Sequence, residues 1–511
     1  MIRYFDITDV LLYVEKESTV SGIQRVSFEV IRSMVQRFGP EAVRIAYWDR
    51  KRREYLGMPS DFIAQMEEFD PDILSAVFFG ARARMLSDTP PSLERYRNRP
   101  AKYWFHYARR MVNAYKGNER HFERAGTTLA DWQAFRAGVT PPEKSQGFGG
   151  IPRVPVAQTA QPGDPLIVLG ATWAIDGLED SLRALKERNG VVITQMIHDL
   201  IPLRVPEHVN GDFIAAFYRW LRALPEYCSH FLANSQNTAR DLAAFLAEVD
   251  RPRPIEVVPL AQEFTEVSVA PAEQVVGPDG PFKQAVERSL TLRREILNLT
   301  KVPYVLVVGT IESRKNGWRL AQAWQRLVRE EGLEMPRLVF AGRPGWLNED
   351  FDGLMAATGN LGGWVQFALR PSDAELAYLY RNSLFTATVS LYEGWGLPIG
   401  ESLHFGKTAV VAENSAMPEV GGDMVEYCDA HSLRSIQAAC RRLIADPEHR
   451  RALEARIAAT RLRRWDDVAG DIVEILSREG RVGGQALAEV PPGARPPGRG
   501  QRDALVEEGA D

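Results

Sequence analysis

The most regular pattern of apolar and polar positions lies after about residue 300, where short apolar runs alternate with amphipathic segments. The segments NGWRLAQAWQRLVREEG and SDAELAYLYRNS have helical periodicity, and the second opens with a Ser-Asp cap. The apolar runs that predict strands are YVLVVG (304–309), RLVFAG (337–342), VQFAL (365–369), LFTATVS (384–390) and TAVVAE (408–413). Strands that alternate with helices predict a doubly wound parallel sheet, and near-continuous apolar strands agree because helices cover both faces of such a sheet.

The first half of the chain has the same alternation, but one long region interrupts it. The predicted strands are IRYFDI (2–7), VRIAYW (43–48), PLIVLG (165–170), VVITQMIHD (191–199), HFLANS (230–235) and IEVVPL (255–260). Between about residues 59 and 162 no parallel-sheet rhythm is present, so we predict a mostly helical insertion there.

The chain is therefore predicted to be α/β with two doubly wound parallel-sheet domains. The first covers residues 1–285 and contains the insertion, and the second covers residues 286–465. A C-terminal helix is predicted over 466–480. The tail 481–511 contains the Pro/Gly-rich stretch VPPGARPPGRG, and we expect it to be disordered because it cannot bury enough apolar surface.

Charge and cysteine content exclude several classes of protein. The 62 Lys and Arg are matched by 67 Asp and Glu, which leaves a net charge of -5 and no global basic field for nucleic acid. Cys228, Cys428 and Cys440 are isolated, so neither a disulfide framework nor a zinc site is predicted. The N-terminus lacks a signal-peptide pattern, and no run is long and apolar enough to span a membrane. We expect a cytoplasmic protein with no nucleic-acid partner.

Two carboxylates flank a glycine-bounded turn in SLYEGWGLPIGESLHFGK (390–407). Glu393 falls on the loop after a predicted strand, and Glu401 on the first turns of a helix that Pro398 is suited to open. Acidic residues near helix starts are common for dipole reasons alone. The alternative interpretation is chemical: both carboxylates accept hydrogen bonds from hydroxyls beside a set of backbone N–H groups.

The first strand of the same domain ends in GTIESRKN, which puts Thr310, Arg314 and Lys315 on the same edge of the sheet. Ligands of open α/β sheets bind beyond the carboxyl ends of the strands. Two adjacent cations there can neutralise a diphosphate, Arg through its fork of donors and Lys as a point charge. Together with a hydroxyl-binding site, they indicate a sugar nucleotide.

GTIESRKN, FAGRPGW, SLYEGWGLPIGESL and AMPEVGGD occur in the order and spacing of the retaining glycosyltransferases of family 4, which have the two-domain GT-B fold. Over residues 300–430 the chain resembles that family, and in particular bacterial mannosyltransferases of surface polysaccharide synthesis. The resemblance implies that two Rossmann-like domains face a cleft. The N-terminal domain would bind the acceptor, and the C-terminal domain the nucleotide sugar.

The resemblance also implies roles for single residues. Glu393 would contact the donor sugar's hydroxyls and Glu401 the ribose, while Arg314 and Lys315 would bind the diphosphate. Thr310 departs from the family, many members of which have Arg there. The backbone of Gly394, Trp395, Gly396 and Leu397 would surround sugar and phosphate, and the nucleotide base would lie against Leu369 and Arg370.

The first half supplies fewer residues that resemble the family. Gly22, in STVSGIQRV, opens a helix that could face the diphosphate across the cleft. His198 and Asp199 end a buried strand in MIHDLIP, and His198 resembles the family's histidine that touches the donor sugar. A histidine near apolar residues is more often structural, but we favour the functional interpretation. Asp199 is a candidate for orienting His198 and is also predicted to contact substrate.

We therefore expect a retaining hexosyltransferase that uses a nucleotide-diphosphate sugar, with GDP-mannose as the best match, as co-substrate. The expected acceptor is a saccharide or a lipid-linked saccharide. No Asp-x-Asp motif stands out near the predicted phosphate site, so we predict no metal and no other cofactor. Two alternatives are a nucleotide-sugar epimerase of similar architecture and a non-catalytic sugar-nucleotide-binding scaffold protein.

Residues 81–126 carry 11 Lys and Arg against four Asp and Glu, a local net charge of +7, with aromatic residues interspersed. Such a surface could rest on anionic lipid at the inner face of the plasma membrane and meet a lipid-linked acceptor. The alternative is a helical insertion whose aromatic side chains pack inward and whose charges are solvated.

Overall fold

The computed structural model describes residues 3–15, 22–64, 100–115, 151–173, 175–265 and 291–482, with isolated positions at 66, 69, 73–74, 77–78, 93 and 133. These residues form two α/β domains, each built on one sheet. The predicted tail, from residue 483 onward, and much of the predicted insertion lie outside the described residues.

The N-terminal sheet has eight strands among the described residues, in the order β4-β3-β2-β1-β5-β6-β7-β8. Their bounds are β1 Arg3–Asp6, β2 Val43–Asp49, β3 Glu54–Pro59, β4 Val154–Pro155, β5 Pro165–Val168, β6 Val192–Ile197, β7 His230–Ala233 and β8 Ile255–Val257. All neighbours are parallel except β2–β3 and β3–β4. β3 and β4 were missing from the prediction because they add an antiparallel edge, and β4 is a strand inside the region predicted to be helical.

The C-terminal sheet is parallel throughout its six described strands, in the order β11-β10-β9-β12-β13-β14. The strands are β9 Tyr304–Val308, β10 Arg337–Gly342, β11 Val365–Leu369, β12 Thr386–Thr388, β13 Ala409–Ala412 and β14 Glu426–Cys428. Five follow the predicted apolar runs. The prediction missed β14, which has three residues and only one fully buried side chain.

Helices cover both sheets. Their bounds are α1 Thr8–Val14, α2 Gly22–Phe38, α3 Asp61–Ala64, α4 Pro100–Tyr115, α5 Val156–Thr159, α6 Leu178–Asn189, α7 Ile201–Arg204, α8 Gly211–Tyr227, α9 Gln236–Glu248, α10 Arg294–Leu299, α11 Gly317–Glu331, α12 Glu349–Gly362, α13 Asp373–Asn382, α14 Leu397–His404, α15 Met417–Gly421, α16 Leu433–Ala445, α17 Pro447–Ala459 and α18 Trp465–Val482. Single 3₁₀ turns lie at Pro206–His208, Ser313–Lys315 and Gly332–Glu334. Within the part of the chain that the structure describes, no helix is both long and apolar enough to cross a bilayer.

The two domains share an apolar core. Helix α18 returns from the C-terminal domain and packs on α2, with Trp465 buried. The apolar cluster of the N-terminal domain also includes Leu391, Trp395 and Ile399 from the loop and helix after β12. Because burial of this apolar surface joins the domains, the loops at the carboxyl ends of their strands are held face to face.

The exposed face of α4 bears on the two interpretations of the basic insertion. Trp104 is 63% exposed and Phe105 64% exposed, and Val112 is 51% exposed on the same helix. The expectation that the aromatic side chains pack inward is therefore wrong for Trp104 and Phe105.

Candidate active site

A cleft of about 760 Å³ lies between the domains, at the carboxyl ends of strands from both sheets. Thirteen of the fourteen residues predicted for the site line it. They are Gly22, His198, Asp199, Thr310, Arg314, Lys315, Arg370, Glu393, Gly394, Trp395, Gly396, Leu397 and Glu401. The exception is Leu369, which ends β11 and packs against the core of the C-terminal domain. Its backbone oxygen accepts a hydrogen bond from Arg293 Nη2 at 3.2 Å. This oxygen is therefore already engaged and is not offered to a nucleotide base.

The centre of the cleft is a cluster of one carboxylate and two cations. Lys315 Nζ lies 2.5 Å from Glu393 Oε1, and Arg314 Nη1 lies 2.9 Å from Glu393 Oε2. The 3₁₀ turn Ser313–Lys315 brings both cations to the loop after β12. Glu393 was predicted to face sugar hydroxyls, whereas here both of its oxygens are paired with the residues predicted to hold the diphosphate.

The cluster keeps Glu393 ionised. Burial raises the pKa of this carboxyl, but Arg314 and Lys315 outweigh that effect and bring the pKa to about 2. Burial lowers the pKa of Arg314, and Glu393 and Glu312 reverse this, so the net pKa is raised. A buried charge cluster of this kind is stable only while its members are paired, and a ligand that removes one partner must offer another.

Arg314 is held by more than Glu393. Its Nη1 donates to the backbone oxygen of Tyr392 at 2.6 Å, and its Nη2 donates to Glu312 Oε1 at 2.7 Å. The side-chain amide of Asn316 donates to the backbone oxygens of Val389 and Ala430. These bonds hold the loop after β9 against the loop after β12. Because Arg314 already donates to Tyr392 and Glu312, Lys315 is the less constrained of the two cations.

The turn between the two glutamates requires its glycines. A Cβ on Gly394 would lie 1.9 Å from the backbone oxygen of His198, so a side chain here would force the domains apart. Gly396 has φ of +106° and precedes the first residue of α14, a conformation that side chains rarely adopt. Close approach of backbone to backbone thus brings Glu393 and His198 to the same part of the cleft.

His198 directly follows β6 and is half-buried, and its Nε2 lies 2.6 Å from the backbone oxygen of Leu169. A carbonyl only accepts, so Nε2 carries the proton and Nδ1 is left as an acceptor. Burial lowers the pKa of His198 to about 4, against the opposing effect of the Leu169 bond. Asp199 Oδ1 accepts from the backbone nitrogen of Ile201 at 2.9 Å, so this oxygen contacts the start of α7 and not His198.

Glu401 sits at the domain boundary. Its Oε2 accepts from the hydroxyl of Tyr380 at 2.6 Å, and its Oε1 lies 3.8 Å from Arg25 Nη1 in the N-terminal domain. Arg25 Nη2 also lies 2.6 Å from Asp373 Oδ1, at the start of α13. Burial raises the pKa of Glu401, and Arg25 and Tyr380 oppose that rise. The carboxylate predicted to hold the ribose is thus placed beside a cation from the opposite domain.

Sequence reasoning missed Arg25, Tyr380 and Tyr392. Arg25 lies three residues after Gly22 in SGIQRV, but nothing in the sequence says that its partners are Asp373 and Glu401. The described residues contain no cluster of three or more His, Cys, Asp or Glu side chains suited to a metal ion. Metal independence stays a prediction.

Comparison with known proteins agrees with this geometry. Residues 290–459 match the family model of glycosyl transferases group 1. O-antigen chain mannosyltransferase B of Escherichia coli is 32% identical over 165 residues, which are 32% of this chain and 43% of that protein. Serotype-specific mannosyltransferase WbdA of Escherichia coli is 25% identical over 269 residues, 52% of this chain and 31% of that protein. The chain thus matches less than half the length of either relative.

A crystal structure of α,α-trehalose 6-phosphate synthase from Burkholderia multivorans aligns over 96% of this chain and 100% of its own, with a TM-score of 0.52 and 12% identity. At this identity the likeness shows the fold alone, which is GT-B, as the order of the motifs implied. The C-terminal domain of this two-domain fold is therefore similar to the glycosyl transferases group 1 family over residues 290–459.

Proposed function

We propose that the chain transfers a hexose from a nucleotide-diphosphate sugar to a saccharide or lipid-linked saccharide, with retention of anomeric configuration. The observation that carries the proposal is the Glu393–Arg314–Lys315 cluster, which faces the cleft beside His198. GDP-mannose is the favoured donor, because the two relatives compared above are named as mannosyltransferases. Their names also support a role in bacterial surface polysaccharide synthesis.

Donor binding would exchange the partners of the cluster. The diphosphate of the donor would pair with Lys315 and draw it from Glu393, and the released carboxylate would accept hydrogen bonds from the hydroxyls of the sugar. Glu401 and Arg370 would hold the ribose and the base. Nδ1 of His198, in the N-terminal domain, would accept a hydrogen bond from a hydroxyl of the sugar bound to the C-terminal domain.

The reaction breaks the bond between the anomeric carbon and the phosphate oxygen, and the acceptor's hydroxyl oxygen bonds to the anomeric carbon from the same face. Negative charge grows on the departing phosphate, where Lys315 and the N-terminal end of α2 at Gly22 would stabilise it. The departing phosphate accepts the proton of the acceptor hydroxyl. The cations supply the charge that a divalent metal supplies elsewhere, so EDTA is expected to leave the rate unchanged.

A donor panel with product analysis tests the function. The matching sugar nucleotide should raise the melting temperature by mass action, and incubation with acceptor should give a glycosylated product. Glu393→Gln and Lys315→Ala should each lower kcat/KM by about 10²–10³ while the fold persists. Glu334→Gln, a change of an exposed glutamate after α11, should be without effect.

The outcomes separate the alternatives. An epimerase would interconvert nucleotide sugars without an acceptor, and a scaffold protein would bind a donor without turnover. If either Glu393→Gln or Lys315→Ala kept wild-type turnover, this cleft would not be the active site.

The exposed face of α4 supports a peripheral contact with anionic membrane, where a lipid-linked acceptor would be met. Trp104 and Phe105 provide apolar surface, and Lys102 and Arg109 are exposed on the same helix. Aromatic and basic residues side by side suit the interface between acyl chains and anionic headgroups.

A further inference from the structure

Helix α9 of the N-terminal domain receives a carboxylate from the C-terminal domain. The side chain of Ser235 caps the helix, and its first two backbone N–H groups donate to Glu419 of α15. Gln236 N lies 2.7 Å from Glu419 Oε2, and Asn237 N lies 2.9 Å from Glu419 Oε1. Donors at a helix start have no partner within the helix, and a carboxylate there is favoured by the helix dipole. Glu419 therefore joins the two domains.

Two side chains of α9, Asn237 and Asp241, bind the hydroxyl of Tyr392. Asn237 Nδ2 donates to this hydroxyl at 2.7 Å, and the hydroxyl donates to Asp241 Oδ2. The other oxygen of Asp241 lies 3.4 Å from Arg204 Nε. Burial and the bond to Asp241 raise the pKa of Tyr392 to about 12, so the hydroxyl keeps its proton and remains a donor.

Tyr392 directly precedes Glu393, and its backbone oxygen is the one that Arg314 contacts. Its side chain thus points into one domain while its backbone is part of the charge cluster of the other. Thr238 of α9 adds contacts at the same place, since its hydroxyl lies 3.3 Å from the backbone oxygen of Gly394 and 3.4 Å from that of His198. The first two turns of α9 therefore touch both sides of the reaction centre.

We propose that Tyr392 is a positioning residue, which fixes Glu393 relative to His198 by anchoring the loop after β12 to helix α9. Tyr392 is absent from the residues that line the cleft, so it acts through its neighbours rather than on a substrate. The proposal rests on the proposed function, because what it positions are the residues assigned to the donor sugar.

The substitution Tyr392→Phe removes the hydroxyl and keeps the ring. We expect kcat to fall by about 10- to 100-fold, because small misplacement of reacting groups costs about that much. The KM of the donor should stay within about threefold, since the residues predicted for the diphosphate and ribose are untouched. A mere loss of packing would not be expected to lower kcat while leaving KM unchanged.

Tyr427→Phe is the matched control. The hydroxyl of Tyr427 donates to the backbone oxygen of Gly422 at 2.8 Å, within the C-terminal domain, and its pKa is also raised to about 12 by burial. The kcat of Tyr427→Phe should equal that of the wild type. A kcat of Tyr392→Phe within twofold of the wild type, or an equal loss in both variants, would overturn the proposal.

Thermal unfolding of Tyr392→Phe, Asp241→Ala and the double variant gives a readout that needs no donor. Because the two side chains share one hydrogen bond, the shift in melting temperature of the double variant should be smaller than the sum of the single shifts. If the wild type transfers sugar from none of the donors tested, the proposed function is wrong. The thermal shifts of the three variants then still test the hydrogen bond between Tyr392 and Asp241. Additive shifts overturn it in either case.

Discussion

The two domains contribute to the cleft in different ways. The C-terminal domain supplies a compact cluster from two loops, in which Glu393, Arg314 and Lys315 satisfy one another. The N-terminal domain supplies single groups from separate elements: Gly22 and Arg25 from α2, and His198 from the end of β6. The charge cluster around Glu393 thus belongs to one domain, whereas the opposite domain contributes one cation, Arg25, and sets distances and orientation.

The difference follows from how each side is stabilised. Ion pairs within the C-terminal cluster offset the cost of burying its charges. The N-terminal groups instead meet the other domain at backbone contacts, such as Gly394 against His198, and at bridges such as Arg25 with Asp373. Changes in the N-terminal domain should therefore affect coupling between the domains more than the cluster of Glu393, Arg314 and Lys315.

An effect on both stability and donor binding is expected for Arg25→Met, which removes the cation that faces Asp373 and Glu401. Breaking a buried ion pair destabilises strongly, and since Asp373 is about one-third exposed we expect a loss of about 2–3 kcal/mol. Donor affinity should also fall, because the pKa of Glu401 would rise further without its cation. Urea unfolding and donor titration measure the two losses.

Arg32→Met is the matched control for this bridge. Arg32 lies on the same helix and pairs with Glu29 at 2.6 Å, three residues away and within one domain. It should leave donor affinity unchanged. Equal donor affinities for Arg25→Met and the wild type would mean that the C-terminal domain binds the nucleotide without help.

A pH-dependent effect is expected for His198. Its pKa is about 4 in the folded protein against an ordinary 6.5, so the unfolded chain binds a proton that the native protein does not. The free energy of unfolding should fall as pH decreases from about 6.5 to 4, by about 3 kcal/mol from this group. His198→Gln should lose that part of the pH dependence.

The measurement is the difference between wild type and variant in urea unfolding at several pH values. The difference cancels opposing contributions, such as that of Asp6, whose pKa burial raises to about 7. His431→Gln, at an exposed position, should retain the wild-type slope. Identical slopes for wild type and His198→Gln would show that this histidine is not held neutral by burial.

The smallest effect is expected on the outer surface of the N-terminal domain. Trp104→Ala with Phe105→Ala should weaken binding to phosphatidylglycerol vesicles at low salt by about tenfold, while donor turnover in solution is unchanged. Trp318→Ala, which removes a 38% exposed tryptophan of the C-terminal domain, is the control. If the wild type does not sediment with these vesicles, or sediments equally with phosphatidylcholine, the anionic membrane contact is wrong.

Much of the C-terminal side could be predicted because its groups lie in contiguous motifs. A strand followed by a glycine turn and a helix places Glu393, Gly394, Gly396 and Glu401 by local geometry, whatever surrounds them. The antiparallel strands β3 and β4 were missed because they break the parallel rhythm on which the prediction depended. Leu369 was correctly placed at a strand end but not in the cleft, since the direction of its side chain depends on core packing.

The sequence by itself determined the fold class, the family resemblance and the chemical types brought to the cleft, because periodicity and motif spacing act over short stretches of chain. Only the tertiary structure decided which groups meet: Glu393 with Lys315, Arg25 with Asp373, and Tyr392 with Asp241. These pairs are separated by 78, 348 and 151 positions. Their meeting depends on how two sheets and a shared apolar core pack, which local pattern does not encode.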